Sequence, residues 1–236
     1  MSFDFTQRTE LLIGKEAIEK LRAAKVAVFG LGGVGSYIAE ALARAGVGEL
    51  HIIDGDDVAL SNVNRQLYAL HSTVGMKKTA AAKERLLDIN PELKIYEYPI
   101  FYSKDTEGEV PFEGLDYIAD AIDTVTSKLL IAEKAFSMGI PVIASMGTGN
   151  KLDPLKFEIT DISKTSVCPL AKVMRIECRK RGIKKLTVLY SREEPIRPDY
   201  SGMETERKLP PASISFVPSA AGLMIAGKII RDIIER

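Results

Sequence analysis

The chain has 236 residues, 46% of them hydrophobic, enough to bury a full core, and one domain spanning residues 1–236 is the economical expectation. Its 32 basic and 32 acidic residues cancel, so no global field draws it to nucleic acid or to a membrane, and a polyanionic partner has to be met by a local cluster of cations. Cys168 and Cys178 form no CxxC pair, the start MSFDFTQRTE has no apolar signal core, and no apolar run reaches membrane-spanning length; these features predict a cytoplasmic protein without zinc knuckles or disulfides and with no membrane partner.

Taken in order, Thr9 to Ala24 reads as an amphipathic helix turning Leu11, Leu12, Ala17, Ile18 and Leu21 to the core, with Arg8 just ahead of it as a surface charge. Val26 to Phe29 is an unbroken apolar run of the kind a doubly buried parallel strand shows, and it leads into GLGGVG, with Gly30, Gly32, Gly33 and Gly35 ahead of a helix over Ser36 to Ala45. Such glycines permit a sharp turn, close approach of backbone N–H groups to a phosphate, and tight packing of the helix on its strand, while the helix N-terminus favours an anion. His51 to Ile53 forms the next strand and ends on Asp54, where an acid in this type of unit holds a ribose hydroxyl. The unit therefore predicts nucleotide binding, with the nucleotide still open.

The stretch after Asp54 departs from a dinucleotide pattern. Gly55 and Asp56 come directly after the acid, then Asn62, Asn64, Arg65 and Gln66, then Gly75 ahead of Lys77 and Lys78 at the start of a helix to Asp88. Cations in a first turn oppose the helix dipole and call for a reason, and cations with carboxamides beside a phosphate site suit a triphosphate better than a pyrophosphate. Leu93 to Tyr98 is a third strand and Leu115 to Ile122 a fourth, the latter bringing Asp120 and Asp123 to the carboxyl end of a parallel strand, where ligands of open α/β sheets bind. One carboxylate suffices to hold magnesium when phosphates supply its other ligands, so Asp123 is a candidate metal ligand; on local grounds it is equally an N-cap for a helix over Thr126 to Met138.

Pro141 to Ser145 is a fifth strand, followed by the flexible turn Met146 to Asn150, and Lys156 to Asp161 reads as an antiparallel strand. Pro169 to Arg181 is a helix whose Arg175, Arg179, Lys180 and Arg181 continue into Lys184 and Lys185, either a solvated face or a nucleic-acid footprint. Ser191 to Ser213 is a long loop without periodicity, and Ser219 to Ile234 a last helix with Leu223, Ile225, Ala226, Ile229, Ile230 and Ile233 packed inward. The fold class is α/β: a Rossmann-like, doubly wound, mostly parallel sheet with an antiparallel extension.

The succession GLGGVG, IDGDDV, SNVNRQ, GMKK and DAIDTVTSK resembles the adenylating domain of the ubiquitin-activating-enzyme-like superfamily. Within it, RTELLIG, ARAGVG, NRQLYAL, INPE, GTGNKLDP and ITDISKT with CPLAK are most similar to the tRNA threonylcarbamoyladenosine dehydratases, over nearly the whole chain. The resemblance implies an enzyme that uses ATP and magnesium to activate the carboxylate of threonylcarbamoyladenosine in tRNA, next to the anticodon, and closes it into a ring. It implies that Asp54 holds the ribose with Asp56 nearby, that Asn62, Arg65, Gln66 and Lys78 surround the phosphates, and that Asp123 serves the metal. It further implies a homodimer in which Arg8 is offered across the interface, with sulfur-transfer accessory proteins as further partners. The sequence departs from the family at Cys168, before PLA, where an acidic residue is expected. Two other readings stay open: activation of the C-terminus of a ubiquitin-like or sulfur-carrier protein, and a non-catalytic NAD-binding sensor.

Overall fold

Residues 5–201 and 211–235 are described by a computed structural model. The apolar runs of the sequence become the centre of one seven-stranded sheet. Its strands are β1 (Lys25–Phe29), β2 (Glu49–Ile53), β3 (Lys94–Tyr98), β4 (Tyr117–Asp120), β5 (Val142–Ser145), β6 (Phe157–Asp161) and β7 (Thr187–Ser191), in the spatial order β3-β2-β1-β4-β5-β7-β6. All neighbours are parallel except β6 and β7, which pair antiparallel from Phe157↔Ser191 to Asp161↔Thr187. Val26, Ala27, Val28 and Phe29 are fully buried, as a strand covered on both faces must be.

The helices are α1 (Gln7–Ile13), α2 (Lys15–Ala23), α3 (Gly35–Arg44), α4 (Lys78–Ile89), α5 (Val125–Met138), α6 (Pro169–Lys180) and α7 (Phe216–Ile234). Ile38, Leu42, Val217, Ile225 and Ile229 join β1 and β2 residues in the largest core cluster, while Ile131 and Ala135 of α5 meet Phe29, Ile53 and Phe112 in another. Each fully buried Ile, Leu or Val of this kind contributes about 1.5–3 kcal/mol relative to exposure.

Three expectations are corrected. The N-terminal helix is two helices, broken at Gly14 with φ 85° and ψ 162°, so α1 turns away from the core and leaves Leu11 and Leu12 85% and 84% exposed. On α7, Leu223 lies on the outer face at 53% exposure, whereas Ile225, Ala226, Ile229 and Ile233 are buried. The expected loop from Ser191 begins as the end of β7, a strand that the neighbouring basic run hides; residues 202–210 of that loop lie outside the described residues. Among the described residues, no helix is long and apolar enough to cross a membrane.

At the sheet's centre, Lys128 of α5 is fully buried and donates from Nζ to Asp120 Oδ2 at 2.9 Å, while Asp120 Oδ1 accepts from the Ile122 N–H at 3.1 Å. Burial pushes the Asp120 carboxyl up and Lys128 opposes it. Asp120 is thus committed to the β4–α5 connection and does not face a ligand. Replacing Lys128 by Met strands a buried carboxylate, with an expected loss of about 3–5 kcal/mol that denaturant titration at pH 7 measures; an unchanged midpoint would contradict the pairing.

Candidate active site

The sheet's winding reverses between β1 and β4, and the strand ends on either side open a crevice. A cavity of about 930 Å³ lies there, lined by Gly30, Gly32 and Gly33 after β1, Asp54 to Asp57 after β2, Ala121 to Thr124 after β4 and Ser145 to Gly149 at the end of β5. Asn62, Arg65, Gln66 and Lys78 complete one side. The fold thus brings to one place residues from six separate segments.

The glycine turn is locked by its own sterics. Gly30 has φ 85°, and a Cβ there would lie 2.8 Å from the Ala121 carbonyl oxygen, just past β4. Gly35 does not line the cavity; a Cβ on it would collide with the Gly30 carbonyl oxygen, so its lack of a side chain is what seats α3 on β1.

Asp54 ties the turn to the next strand. Its Oδ2 accepts from the Leu31 N–H at 2.7 Å and its Oδ1 from the Asp56 N–H at 2.9 Å. Burial pushes its carboxyl up, with the Lys78 ammonium, 3.7 Å away, pulling down. Lys78 is itself buried at the first turn of α4 and donates to Asp56 Oδ2 at 2.7 Å. The adjacent Lys77 points elsewhere, to Asp57 at 2.7 Å.

A short 3-10 turn, Leu60–Asn62, and the residues just after it carry the remaining polar groups. Asn62 Oδ1 accepts from the Ala59 N–H at 3.0 Å, so its amide nitrogen is what it can offer the cavity. Arg65 is held by the Ser61 carbonyl at 3.0 Å and by Asn64 Oδ1 at 2.8 Å, both at Nη1, and its Cγ lies 3.4 Å from where a Gly33 Cβ would stand. The Gln66 side chain reaches over Gly32.

Asp123 lies exposed in the cavity wall, and the N-cap of α5 is Thr124, which has no capping side-chain bond. The expected N-cap alternative for Asp123 is therefore overturned, because the cap falls one residue later than that reading needs. Among the described residues no cluster of three or more His, Cys, Asp or Glu could hold a metal by itself. A lone carboxylate beside a phosphate-sized space still fits magnesium, which keeps most of its ligands from water and phosphate. Arg8, exposed on α1, does not line this cavity.

Neither cysteine reaches the cavity. Cys168 is 3% exposed and Cys178 1%, and burial pushes the Cys178 thiol up to about 11, so it is not a nucleophile near neutral pH. Lys128, Asn64 and Asn150 have clear structural roles that sequence patterns leave unassigned. The one hint is GTGN, in which Asn150 has a φ of 59° and is more than part of a flexible turn.

Residues 6–236 match the sequence profile described as the ThiF family. The chain is 47% identical to the tRNA threonylcarbamoyladenosine dehydratase of Bacillus subtilis, covering 97% of this chain and 94% of that protein. It is 38% identical to the enzyme of the same description from Escherichia coli, over 71% of this chain and 62% of the relative. Its structure resembles that of the E. coli tRNA N6-threonylcarbamoyladenosine dehydratase in complex with AMP, with a TM-score of 0.88 at 30% identity, covering 97% and 93% of the two chains. E. coli MccB with ATP matches at a TM-score of 0.69 and 20% identity, a likeness of fold alone. With a profile match over nearly all its length and a cavity built on the glycine turn, Asp54 and Lys78, the chain belongs to the ThiF family.

Proposed function

We infer that this chain uses ATP to adenylate the carboxylate of the threonylcarbamoyl group on a tRNA adenosine next to the anticodon, and then closes that group into a ring. The observation that carries the reading is the placement of Arg65 and Lys78 beside the glycine turn, in a chain 47% identical to a relative described as a dehydratase of this substrate. The E. coli relative has been solved with AMP and with ATP. Activation of a protein C-terminus and a non-catalytic NAD site are the weaker readings, since both the B. subtilis relative and the E. coli structure carry the tRNA description.

The chemistry needs little beyond these side chains. A carboxylate oxygen of the substrate attacks the α-phosphorus and the bond to pyrophosphate breaks. A nucleophilic atom of the same substrate's carbamoyl group then attacks the activated carbonyl carbon, AMP leaves with the former carboxylate oxygen, and the carbamoyl group loses a proton. Arg65, Lys78 and the Asn62 amide lie where phosphate charge builds up, and preorganised donors of this kind stabilise such transition states. Gln66 adds a donor over Gly32. Asp54 and Asp56 fix Lys78, and Asp54 is the group for the ribose. Asp123 would hold magnesium, which supplies further neutralisation of the phosphates when bound. Intramolecular closure gains from proximity, so the burial of both cysteines is no handicap.

The exposed Leu11 and Leu12 on the helix that carries Arg8 support a homodimer in which Arg8 reaches the partner's cavity, and ATP and tRNA as substrates suit a cytoplasmic reaction. Sulfur-transfer accessory proteins stay an expectation. Part of the basic run is already engaged: Arg175 donates to Thr165 O at 2.8 Å, while Lys180 is neutralised by Glu177 at 2.8 Å and Arg181 by Glu133 at 2.9 Å as well as by Glu177. Among the described residues Lys172, Arg179, Lys184 and Lys185 have no ion-pair partner and are exposed, which narrows the tRNA-backbone surface to them, Lys185 being the one whose charge also acts on Asp161.

Incubation of threonylcarbamoyladenosine-bearing tRNA with protein and ATP should remove one water from the nucleoside by mass analysis. Arg65→Ala and Lys78→Ala should each slow this by about two to three orders of magnitude, the scale of a lost oxyanion donor, with folding intact by circular dichroism; a tRNA of unchanged mass would sink the reading. For the basic surface, the Lys172→Ala, Arg179→Ala, Lys184→Ala triple variant should flatten the slope of log tRNA affinity against log salt by roughly 2–3, since about 0.7–0.9 counterion is released per phosphate contact. An unchanged slope would leave these residues as a solvated face. Leu11→Glu with Leu12→Glu should yield a monomer by sedimentation and, like Arg8→Ala, lose turnover; a dimer that persists would place the interface elsewhere.

A further inference from the structure

The cavity has two chemically different halves. Among the described residues, every charged lining side chain, from Asp54 to Lys78 and Asp123, lies on segments that follow β2 and β4. Among the same residues the other wall is uncharged, made of Met146, Thr148, Leu170, Pro211 and Ser213 with the glycines between them. Pro211 and Ser213 belong to neither helix nor strand, so something else must hold them in place.

Two asparagines do. The Asn150 N–H donates to the Ala212 carbonyl at 2.7 Å, and Asn150 Oδ1 accepts from the Ala212 N–H at 2.7 Å, a two-bond clamp on one residue. Asn150 also accepts from the Ile196 N–H at 2.8 Å, which uses its backbone carbonyl. It makes these bonds in the left-handed region, at φ 59°, where Asn is tolerated far better than most residues. On the other side, Asn64 Nδ2 donates to the Ser213 carbonyl at 3.0 Å, while its Oδ1 accepts from Arg65. Residues 211–213 are therefore strung between the turn after β5 and the arginine of the phosphate side.

We propose that Asn150 and Asn64 are positioning residues that set the uncharged wall as the seat of the threonylcarbamoyl group and fix it relative to Arg65. The proposal rests on the function inferred above. A wall of hydroxyls, proline and leucine suits the methyl and hydroxyl of the threonyl side chain, while the group's carboxylate turns to the phosphates and the cations that line the rest of the cavity. Asn150 acts through Ala212 and touches no reacting atom. Asn64 divides its amide between the wall and Arg65, so the two halves of the cavity share one hinge of hydrogen bonds.

The decisive variant is Asn150→Gly, which keeps the left-handed backbone and its bonds and removes only the side-chain acceptor. It should raise the KM for threonylcarbamoyladenosine-bearing tRNA about five- to tenfold, the scale of one lost hydrogen bond, with ATP affinity and melting temperature as in the parent. Hydrogen exchange at the Ala212 amide should quicken, and Asn150→Asp, which keeps an acceptor, should restore both KM and protection. Asn64→Ala, by contrast, should weaken ATP and tRNA together, because it frees Arg65 as well. A parental KM in Asn150→Gly, or equal losses for ATP and tRNA, would overturn the proposal. If the parent protein binds ATP yet leaves the tRNA unchanged, the inferred function falls, and Ala212 exchange then decides the clamp alone: protection unaltered by Asn150→Gly would refute it.

Discussion

The carboxylate of Asp54 holds the rest of the site together. One oxygen closes on the Leu31 N–H in the glycine turn, the other on the Asp56 N–H, and its charge lies 3.7 Å from the Lys78 ammonium. Three chain segments, after β1, after β2 and at the start of α4, therefore meet on a single side chain. A buried carboxylate is costly to ionise, and it is tolerated here because two backbone donors and a cation surround it. Loss of either backbone bond would loosen the glycine turn from its neighbour, which is held besides by the Gly30 N–H bond to the Ile53 carbonyl at 2.7 Å and by steric exclusion at Gly30 and Gly35.

Around that centre the molecule separates charge by function. Cations that line the cavity are held by a carbonyl, a carboxamide or a carboxylate whose geometry is fixed, as with Arg65 on Ser61 and Asn64. Fixed donors aimed into a crevice need not reorganise when charge develops, which is where their energetic advantage lies. On α6 the arrangement is reversed: Lys180 and Arg181 close on Glu177 at the surface, an exposed pairing worth little to stability. The cations left over there can follow a flexible polyanion without needing fixed positions.

Much of this is legible in the sequence because it is local. Gly30 and Asp54 each directly follow a strand, so an apolar run that ends in a change of residue type marks both the strand and its functional end. Asn62, Arg65, Gln66 and Lys78 stand out because polar groups and a first-turn cation break an expected pattern. The features that escape depend on contacts that no local pattern encodes. Leu11 and Leu12 have helical apolar spacing, yet the backbone at Gly14 turns them outward. β7 pairs antiparallel with β6 at the end of a basic run, where charge masks its apolar residues. The Asn150 clamp joins residues separated by 62 positions, and the Lys128–Asp120 pair looks in sequence like two surface charges.

The two cysteines carry a consequence of another kind. Both are buried and reduced, and the thiol of Cys178 is kept un-ionised by its apolar surroundings. Susceptibility to peroxide and to disulfide exchange follows thiolate character and exposure. Burial of both cysteines keeps oxidants away from them, and a reaction that proceeds through phosphate and acyl chemistry needs no reductant to keep it going. Its output is then governed by the supply of nucleotide and modified tRNA, not by the redox poise of the compartment in which it works.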